Sequence, residues 1–467
     1  MWFGRTRRVH FVGIGGIGMS GIAELLANLG YRVSGSDARR SDITDRLASL
    51  GVTISVGHEA RHVADADVVV VSSAIAADNP EVVEARARHI PVIPRAEMLA
   101  ELMRLRVGIA IAGAHGKTTT TSMVALMLER VGLDPTAVIG GRLSAFGSNA
   151  RLGQGQFMVV EADESDRSFL RLSPAIAVVT NIDREHMDAY GSFDRVVDAF
   201  AAFADRVPFY GAVIACVDDG PVRSVLPRLT RRTITYGFSD DADVRGLDPV
   251  TDGRSGHCLV RFRVPGLPNG EGQGELRLAV PGRHNLQNAL AAIAVGLEIG
   301  QPFDRLAAAL ADFHGAERRY QVRGTERGVT VIDDYGHHPA EIAAVLRAAR
   351  DGRPSRIVAV FQPHRYTRTR DLLDDFGPAL ALADVVVLTD IYAAGEAPIP
   401  AITIERLADA VRAHAKDVVV VKRLDDVPAA VAQLAKTGDL VVTLGAGSIG
   451  TTPDRLLTAL GGAEVAS

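Results

Sequence analysis

The stretch that decides how this chain folds is Gly113-Ala114-His115-Gly116-Lys117-Thr118-Thr119. The apolar run from Val107 to Ala112 precedes it and predicts a strand, and a helix is predicted from Ser122 to Val131. A glycine turn between a strand and a helix is typical of phosphate-binding loops, because glycines let backbone N–H groups approach phosphate oxygens. The sequence therefore predicts a phosphate site at this turn.

Two side chains in this stretch suit a nucleoside triphosphate with a bound cation. Lys117 provides a point charge for the β- and γ-phosphates, and the hydroxyl group of Thr118 can bind Mg²⁺. The spacing is shorter than the full G-x-x-x-x-G-K-[ST] motif, so a simple turn with a surface lysine is the alternative. Because the strand and the helix flank the turn in the expected order, we expect an ATP site.

Length and composition describe a globular protein of several domains. The chain has 467 residues, with 47% hydrophobic and 23% charged residues, and this length predicts about two to four domains. The net charge of −5 argues against general nucleic-acid binding, which requires a basic surface. Cys216 and Cys258 are too few for a disulfide framework, and no apolar run reaches the ~20 residues of a bilayer span. We expect a cytoplasmic protein without a nucleic-acid or membrane partner, and the choice between monomer and dimer stays open.

Apolar runs alternate with helix-like stretches along most of the chain, which is the pattern of an α/β protein with parallel sheets. Short charged segments at Met103 to Arg106 and at Glu317 to Tyr320 mark two boundaries. The three predicted domains are Rossmann-like over residues 1–106, P-loop ATPase-type over residues 107–316 and Rossmann-like again over residues 317–467. Within the central domain, the Gly- and Asp-rich segment from Thr235 to Glu275 predicts a β-rich insertion.

A second glycine motif lies near the N-terminus, where Gly13, Gly15 and Gly18 have the spacing G-x-G-x-x-G. It lies between a predicted strand and a predicted helix, and Asp37 follows about 20 residues later. This pattern indicates a diphosphate at a helix N-terminus, with Asp37 against a ribose or a base. It does not choose between NAD and another diphosphate such as a UDP-sugar, and tight strand–helix packing is the structural alternative.

Acidic residues follow another predicted strand in the sequence Val159-Val160-Glu161-Ala162-Asp163-Glu164-Ser165-Asp166. Mg²⁺ prefers hard oxygen ligands, so a carboxylate at a strand end can complete the site that Thr118 begins. The strand position favours Glu161 for this role, whereas the later acids fit a solvated turn. His186 follows the next strand and could bind a second cation, but a lone loop histidine is more often a surface group.

The ordered motifs of this chain resemble those of the Mur ligase family. Beyond the motifs already quoted, the resemblance rests on Asn-Ile-Asp-Arg-Glu-His-Met-Asp at 181–188, Gly-Arg-His-Asn-Leu-Gln-Asn at 282–288, Asp-Asp-Tyr-Gly-His-His-Pro at 333–339 and Pro-His-Arg-Tyr-Thr-Arg-Thr-Arg at 363–370. It spans nearly the whole chain and is strongest toward the member that adds L-alanine to UDP-N-acetylmuramate. The resemblance implies that the three domains hold the UDP-sugar, ATP and the amino acid, in that order.

The activity implied by this resemblance is ATP-dependent amide formation in peptidoglycan synthesis, and hence in cell-wall biogenesis, cell shape and division. The γ-phosphoryl group of ATP would activate the muramate carboxylate as an acyl phosphate, which the alanine amine would attack, with Mg²⁺ as the metal cofactor. The alternatives are a sibling ligase that attaches a preformed peptide, an NAD-dependent oxidoreductase and a nucleotide-binding regulator without catalysis.

The same resemblance implies roles for individual residues. The implied UDP-sugar contacts are Gly15, Gly16, Gly18, Asp37 and Ser73. Besides the glycine loop, the implied ATP contacts are Asn285, Asn288, Arg319 and Asp334. The implied magnesium ligands are Thr118, Glu161 and His186. The implied catalytic residues are Lys117, His337, Arg365 and Arg368, of which the last three would also contact the alanine and the acyl phosphate.

Two features separate this chain from patterns found elsewhere in the family. Ala114 stands where alanine-adding ligases usually have threonine, and the backbone cradle should survive that change. No lysine lies between Glu161 and Asn181 to form the carbamate of many sibling ligases, which fits the alanine-adding member. For Asn285 a helix cap is the alternative role, and Arg318 is expected to be a solvated charge.

Overall fold

The structure is a computed structural model that describes residues 3–72, 74–143, 148–267 and 270–462. Within these ranges every helix is too short or too polar to span a lipid bilayer. The chain divides into two compact units, each held together by its own internal contacts. The first comprises Met1–Leu247, Leu259–Leu276 and Gln287–Ala311, and the second comprises Asp248–Cys258, Arg277–Leu286 and Asp312–Ser467.

The N-terminal sheet has five parallel strands in the order β3-β2-β1-β4-β5. Its strands are β1 (Arg8–Val12), β2 (Arg32–Asp37), β3 (Thr53–Val56), β4 (Val68–Val71) and β5 (Val92–Pro94). Its helices are α1 (Ile17–Asn28), α2 (Asp42–Ser49), α3 (Pro80–Ala87) and α4 (Arg95–Met103). The strand order reverses at β1, so the loop after β1 lies at the switch point where such sheets bind ligands.

The central sheet has ten strands in the order β15-β14-β13-β12-β11-β10-β6-β9-β7-β8. Its strands are β6 (Val107–Ala112), β7 (Thr136–Leu143), β8 (Ser148–Arg151), β9 (Phe157–Glu161), β10 (Ile176–Val179), β11 (Ala212–Cys216), β12 (Thr233–Gly237), β13 (Val244–Thr251), β14 (Gly256–Arg263) and β15 (Glu271–Leu278). Its helices are α5 (Lys117–Arg130), α6 (Met187–Tyr190), α7 (Phe193–Ala204), α8 (Gly220–Val225), α9 (Arg283–Glu298) and α10 (Phe303–Ala311). The predicted β-rich insertion is present as β12 to β15 and extends one side of this sheet.

The C-terminal sheet has six strands in the order β16-β17-β21-β18-β19-β20, and only its edge strand β16 is antiparallel among the described strands. Its strands are β16 (Gln321–Glu326), β17 (Val329–Asp334), β18 (Arg356–Phe361), β19 (Val385–Leu388), β20 (Asp417–Val420) and β21 (Asp439–Leu444). Its helices are α11 (Pro339–Asp351), α12 (Tyr366–Asp371), α13 (Leu373–Leu380), α14 (Ile404–Arg412), α15 (Val427–Leu434) and α16 (Thr452–Gly462). Each sheet lies inside one predicted domain range, and the exact domain boundaries stay a prediction.

Strand β6 and helix α5 form the centre of the middle sheet. β6 lies between β9 and β10, which both run parallel to it, so the carboxyl ends of the three strands share one edge. Every residue of α5 from Thr118 to Leu128 is buried. A helix buried on all sides cannot rotate or slide cheaply, so its N-terminus has a fixed position relative to that edge.

Candidate active site

The glycine loop between β6 and α5 has a backbone that requires glycine at two positions. Gly113 has a φ of 147°, and a Cβ there would overlap Thr180 Oγ1. Gly116 has a φ of 80°, and a Cβ there would lie 2.7 Å from Asn288 Oδ1. Both positive φ values disfavour residues with a Cβ, so the spacing of the sequence motif reflects the geometry of the loop.

The segment after β10 holds the loop from one side. The backbone N–H of His115 donates to Asn181 Oδ1 at 2.7 Å, and Asn181 Nδ2 donates back to the His115 carbonyl at 2.9 Å. The His115 ring lies 2.9 Å from Asp183 Oδ2. Among the described residues, no side chain caps the N-terminus of α5, which leaves its first-turn N–H groups available to phosphate oxygens.

Lys117 is turned back onto its own loop. Its Nζ donates to the carbonyls of Gly113 and Ala114 at 2.6 and 3.2 Å and to Glu164 Oε1 at 2.8 Å. Burial lowers the pKa of Lys117, but the negative charges of Glu164 and Glu161 outweigh burial and raise that pKa to about 12. Burial also raises the pKa of Glu164 to about 7, against the opposing charge of Lys117. Lys117 is therefore a positive charge at neutral pH.

Thr118 and Glu161, the two residues that the sequence predicts to bind magnesium, lie side by side. Thr118 Oγ1 donates to Glu161 Oε2 at 2.9 Å, and the backbone N–H of Gly140 donates to the same oxygen at 2.8 Å. A hydroxyl oxygen and a carboxylate oxygen side by side are hard donors of the kind that Mg²⁺ prefers, with the remaining ligands supplied by phosphate oxygens and water. These residues fit the cation.

His186 lies near Glu164, an acid that the sequence interpretation placed in a solvated turn. Its Nε2 lies 3.5 Å from Glu185 Oε2 and 3.9 Å from Glu164 Oε1, the same oxygen that binds Lys117. Glu164 is only 4% exposed, and its backbone carbonyl accepts the hydroxyl hydrogen of Tyr190 at 2.7 Å. A buried lysine needs a counter-charge close by. This requirement is the signal from which a role for Glu164 beside Lys117 could have been predicted.

The two asparagines of α9 have different surroundings. Asn285 Nδ2 donates to the Pro281 carbonyl at 2.6 Å, a local bond that differs from a helix cap, in which a side-chain oxygen accepts a backbone N–H. Asn288 instead places its Oδ1 against Gly116 of the phosphate loop. The structure thus brings Asn288 to the loop, and its contact with ATP stays a prediction.

The N-terminal glycine loop is tied to the end of β2. The N–H groups of Gly13 and Ile14 donate to the Ser36 carbonyl at 2.8 and 2.9 Å, and Gly15 N–H donates to Asp37 Oδ2 at 2.9 Å. Gly16 precedes α1, and among the described residues no side chain caps this helix. The predicted contact residue Ser73 lies outside the described residues.

The strand end of β17 organises a further group of predicted residues. Asp334 accepts the backbone N–H groups of Tyr320 at 2.7 Å and Gly336 at 2.6 Å, and burial raises the pKa of Asp334 to about 6. The Arg319 guanidinium lies 5.0 Å from the ring centroid of Tyr335. This arrangement fixes the loop that follows β17.

The expectation that Arg318 is a solvated charge is wrong. Its Nε donates to Asp333 Oδ2 at 2.9 Å, and its Nη2 donates to the Gly445 carbonyl at 2.7 Å. The Asp333 carboxylate is fully buried and would be left without its cation if Arg318 pointed to solvent. Arg318 therefore belongs to the framework of the C-terminal sheet.

The remaining predicted catalytic residues converge in the second unit. His337 Nδ1 lies 3.0 Å from the Tyr335 carbonyl, and the His337 ring lies 5.5 Å from the His364 ring. Arg368 Nη1 lies 2.9 Å from His364 Nδ1. Arg365 has a buried Nε without a hydrogen-bond partner among the described residues. The two arginines can bind an anion, and a histidine can accept a proton.

Three family models match this chain in sequence order. The model described as "Mur ligase family, catalytic domain" matches residues 8–106, "Mur ligase middle domain" matches residues 111–296, and "Mur ligase, glutamate ligase domain" matches residues 318–447. The chain belongs to the Mur ligase family. The resemblance inferred from its motifs is confirmed, and membership decides against an NAD-dependent oxidoreductase.

Individual relatives of this Mur ligase agree with that assignment. The chain is 54% identical over 461 residues to the UDP-N-acetylmuramate–L-alanine ligase of Pelobacter propionicus, which covers 98% of this chain and 99% of that protein. Its structure matches that of UDP-N-acetylmuramate-alanine ligase from Thermotoga maritima with a TM-score of 0.80 and 30% identity, over 97% of this chain and 98% of that one. It also matches a murein peptide ligase from Psychrobacter arcticus with a TM-score of 0.72 and 26% identity, over 97% and 99% of the two chains. The predicted α/β fold is confirmed.

Proposed function

We propose that this Mur ligase joins L-alanine to the carboxylate of UDP-N-acetylmuramate and converts ATP to ADP and phosphate, in peptidoglycan precursor synthesis. The observation that carries this proposal is the 54% identity, over nearly the full length of both chains, to an enzyme named for that reaction. The contacts of Lys117, Thr118 and Glu161 support it, because a buried lysine beside a hydroxyl–carboxylate pair suits a triphosphate with a bound cation.

The first chemical step in this proposal is activation of the muramate carboxylate. A carboxylate oxygen is a poor leaving group, so the γ-phosphoryl group of ATP is transferred to it and an acyl phosphate forms. Lys117 and the first-turn N–H groups of α5 hold the triphosphate and stabilise charge on the transferring group. When bound, Mg²⁺ neutralises further charge there, and Thr118, Glu161 and His186 are the residues that would hold it.

The second step is attack of the alanine amine on the acyl carbon, after which phosphate leaves. Because a carbonyl oxygen can only accept, the contact with Tyr335 places the Nδ1 proton of His337 on that nitrogen. In its neutral form His337 then carries a lone pair on Nε2, which can take the proton that the amine loses. Arg365 and Arg368 suit the alanine carboxylate, because a planar guanidinium can bind it through two parallel hydrogen bonds.

The proposal assigns one ligand to each predicted domain. Residues 1–106 bind the UDP-sugar through Gly15, Gly16, Gly18 and Asp37, residues 107–316 bind ATP and Mg²⁺, and residues 317–467 bind the amino acid. The reactants are small molecules of the cytoplasm, and we place the enzyme there.

A peptide-adding sibling is the second candidate, since a murein peptide ligase has a similar structure. Phosphate release with UDP-N-acetylmuramate, ATP and Mg²⁺ separates the two functions when L-alanine and the tripeptide L-alanyl-γ-D-glutamyl-meso-diaminopimelate are compared. We expect L-alanine to stimulate release and the tripeptide to leave it at the basal rate. Stimulation by the tripeptide alone would overturn the proposal.

A further inference from the structure

The segment after β19 packs against the segment that carries Arg365 and Arg368. The backbone N–H of Arg365 donates to the Tyr392 carbonyl at 2.8 Å, and the N–H of Tyr392 donates to the Pro363 carbonyl at 2.8 Å. The rings of His364 and Tyr392 are stacked, with their centroids 5.7 Å apart and their planes at 18°. The two segments therefore run side by side, and the backbone of one holds the backbone of the other.

Arg365 has a backbone conformation that needs support from its surroundings. Its φ of 71° and ψ of 140° lie in a region that residues with a Cβ rarely adopt, and such a residue persists only where neighbouring contacts fix it. Arg365 precedes α12, a helix of 6 residues that is too short to be stable by itself. The positions of both arginines thus depend on contacts from elsewhere in the chain.

The carboxylate of Glu396 holds the first turn of α12. Its Oε2 accepts the backbone N–H of Thr367 at 3.0 Å, and its Oε1 accepts the hydroxyl hydrogen of Thr367 at 2.6 Å. Thr367 is the second residue of the helix, where a backbone N–H has no partner within the helix itself. The helix dipole favours a carboxylate at this end, and hydrogen bonds to an ionised acceptor are the stronger kind. Glu396 therefore fixes the end of the helix next to Arg365.

A tight turn brings Glu396 to this position. Ala394 and Gly395 have φ values of 50° and 87°, and the N–H of Glu396 donates to the Ala393 carbonyl at 3.0 Å. The chain thus reverses its direction within a few residues of Tyr392. One short segment contacts α12 and the residues before it twice, through the backbone of Tyr392 and through the side chain of Glu396.

The groups that suit an anionic ligand move together with α12. Thr369 donates to the Arg365 carbonyl through its N–H at 3.2 Å and through its hydroxyl at 2.8 Å. Arg368 Nη1 lies 2.9 Å from His364 Nδ1. The buried Nε of Arg365 has no hydrogen-bond partner among the described residues, which leaves this donor for a ligand. A shift of α12 would therefore displace the guanidinium groups that meet the ligand.

We propose that Glu396 is a positioning residue for the amino-acid substrate: it holds α12 so that Arg365 and Arg368 stay where the substrate carboxylate binds. The inference rests on the proposed function, because it assumes that these arginines bind the carboxylate of L-alanine. In this role Glu396 acts through Thr367 and not by contact with the substrate. Loss of its charge therefore weakens binding of the amino acid and leaves binding of the other two substrates as it is.

The test is steady-state kinetics of wild type, Glu396→Gln and Thr367→Val, with phosphate release measured as each of the three substrates is varied. Glu396→Gln keeps the size of the side chain but replaces one accepting oxygen with a donor. We expect its KM for L-alanine to rise at least about 10-fold, the loss of a charge-assisted contact. Its KM values for ATP and UDP-N-acetylmuramate should stay within about 2-fold of wild type. Thr367→Val removes the hydroxyl and keeps the N–H, so a rise of about 3-fold for L-alanine is expected.

The double variant shows whether Glu396 and Thr367 act together. Because Thr367→Val has already removed one of the two hydrogen bonds, adding Glu396→Gln to it should raise the KM for L-alanine by a smaller factor than in wild type. Equal factors in the two backgrounds would mean that Glu396 acts independently of Thr367, and would overturn the proposal.

Glu405→Gln is the matched control, since Glu405 is an acid in the first turn of α14 in the same sheet and pairs with Lys422. It should have wild-type KM values for all three substrates. An unchanged KM for L-alanine in Glu396→Gln would overturn the assignment, and so would equal rises for all three substrates, which indicate a general structural role. If Glu396→Gln does not fold, Thr367→Val decides by the same criteria. Wild type whose phosphate release is not stimulated by L-alanine would remove the proposed function as well.

Discussion

Lys117 Nζ lies 2.8 Å from Glu164 Oε1, and the two side chains are 15% and 4% exposed. The lysine of the phosphate loop thus has a fixed counter-charge supplied by the protein itself. Because the same carboxylate oxygen lies 3.9 Å from His186 Nε2, Glu164 connects the lysine to the histidine predicted to bind a cation. The pair sets the position from which Lys117 meets a triphosphate.

Replacement of Glu164 by glutamine keeps the size of the side chain and removes its charge. We expect kcat to fall about 10- to 100-fold, which corresponds to a charge-assisted hydrogen bond of about 1.5–3 kcal/mol, with a smaller change in KM for ATP. Steady-state kinetics measure both constants. Glu97→Gln is the control, since Glu97 is an exposed acid that pairs with Arg171. Wild-type kinetics in Glu164→Gln would show that the pair has no part in the reaction.

Glu161 is predicted to bind Mg²⁺ together with Thr118. Glu161→Gln keeps one oxygen but loses the negative charge, so the variant should need a higher Mg²⁺ concentration and lose at least about 100-fold in kcat. Activity measured across a Mg²⁺ titration tests this. An unchanged Mg²⁺ dependence would contradict the assignment of Glu161.

Gly116 and Gly132 flank α5 and differ in what surrounds them. Both have positive φ, of 80° and 88°, but a Cβ at Gly132 meets nothing within 4 Å, whereas one at Gly116 approaches Asn288 Oδ1. Gly132→Ala should cost about 1 kcal/mol of unfolding free energy from backbone strain alone. Gly116→Ala should cost more and weaken ATP binding at least about 10-fold, because the loop must move. Urea unfolding and ATP titration compare the two variants, and equal behaviour would be inconsistent with a tightly packed loop.

Glu81 is a fully buried carboxylate that accepts Ser36 Oγ–H at 2.6 Å and lies 2.6 Å from His62 Nδ1. Burial raises its pKa, but hydrogen bonds from His10, Ser36 and His62 outweigh burial and lower that pKa to about 2. A pKa lowered by folding stabilises the protein above the unfolded value of 4.5, and this stability is lost as the pH falls toward 2. The full contribution is about 3 kcal/mol.

The matching experiment is urea unfolding of wild type and Glu81→Gln at pH 7 and pH 3.5. Wild type should be the more stable protein at pH 7, and its advantage should shrink at pH 3.5, where unfolded Glu81 is mostly protonated. If the difference in unfolding free energy between the two proteins does not change with pH, Glu81 has the same pKa in the folded and the unfolded protein.

The sequence predicted the strand before the phosphate loop correctly but placed the start of the following helix too late. β6 has the predicted bounds, Val107–Ala112, whereas α5 begins at Lys117 rather than at Ser122. The intervening threonines are β-branched and have low helix propensity. They are buried against the central sheet, and this tertiary packing outweighs the local preference.

The partners of the charged residues could not be predicted in the same way. Glu164 lies 47 positions after Lys117, and Asp163 lies 68 positions after Arg95, so no local spacing reports either pair. The same reason explains Arg318, whose pairing with Asp333 depends on how the chain passes over the end of β17. Motif spacing predicts groups on one loop, whereas burial and long-range pairing become visible only in the folded chain.

The central claim is that ATP activates the muramate carboxylate, and oxygen labelling tests it most directly. UDP-N-acetylmuramate labelled with ¹⁸O in its carboxylate is turned over with ATP, Mg²⁺ and L-alanine, and the released phosphate is analysed by mass spectrometry. Transfer of the γ-phosphoryl group to the carboxylate predicts one ¹⁸O atom in each released phosphate. Phosphate without the label, alongside normal product formation, would contradict the account.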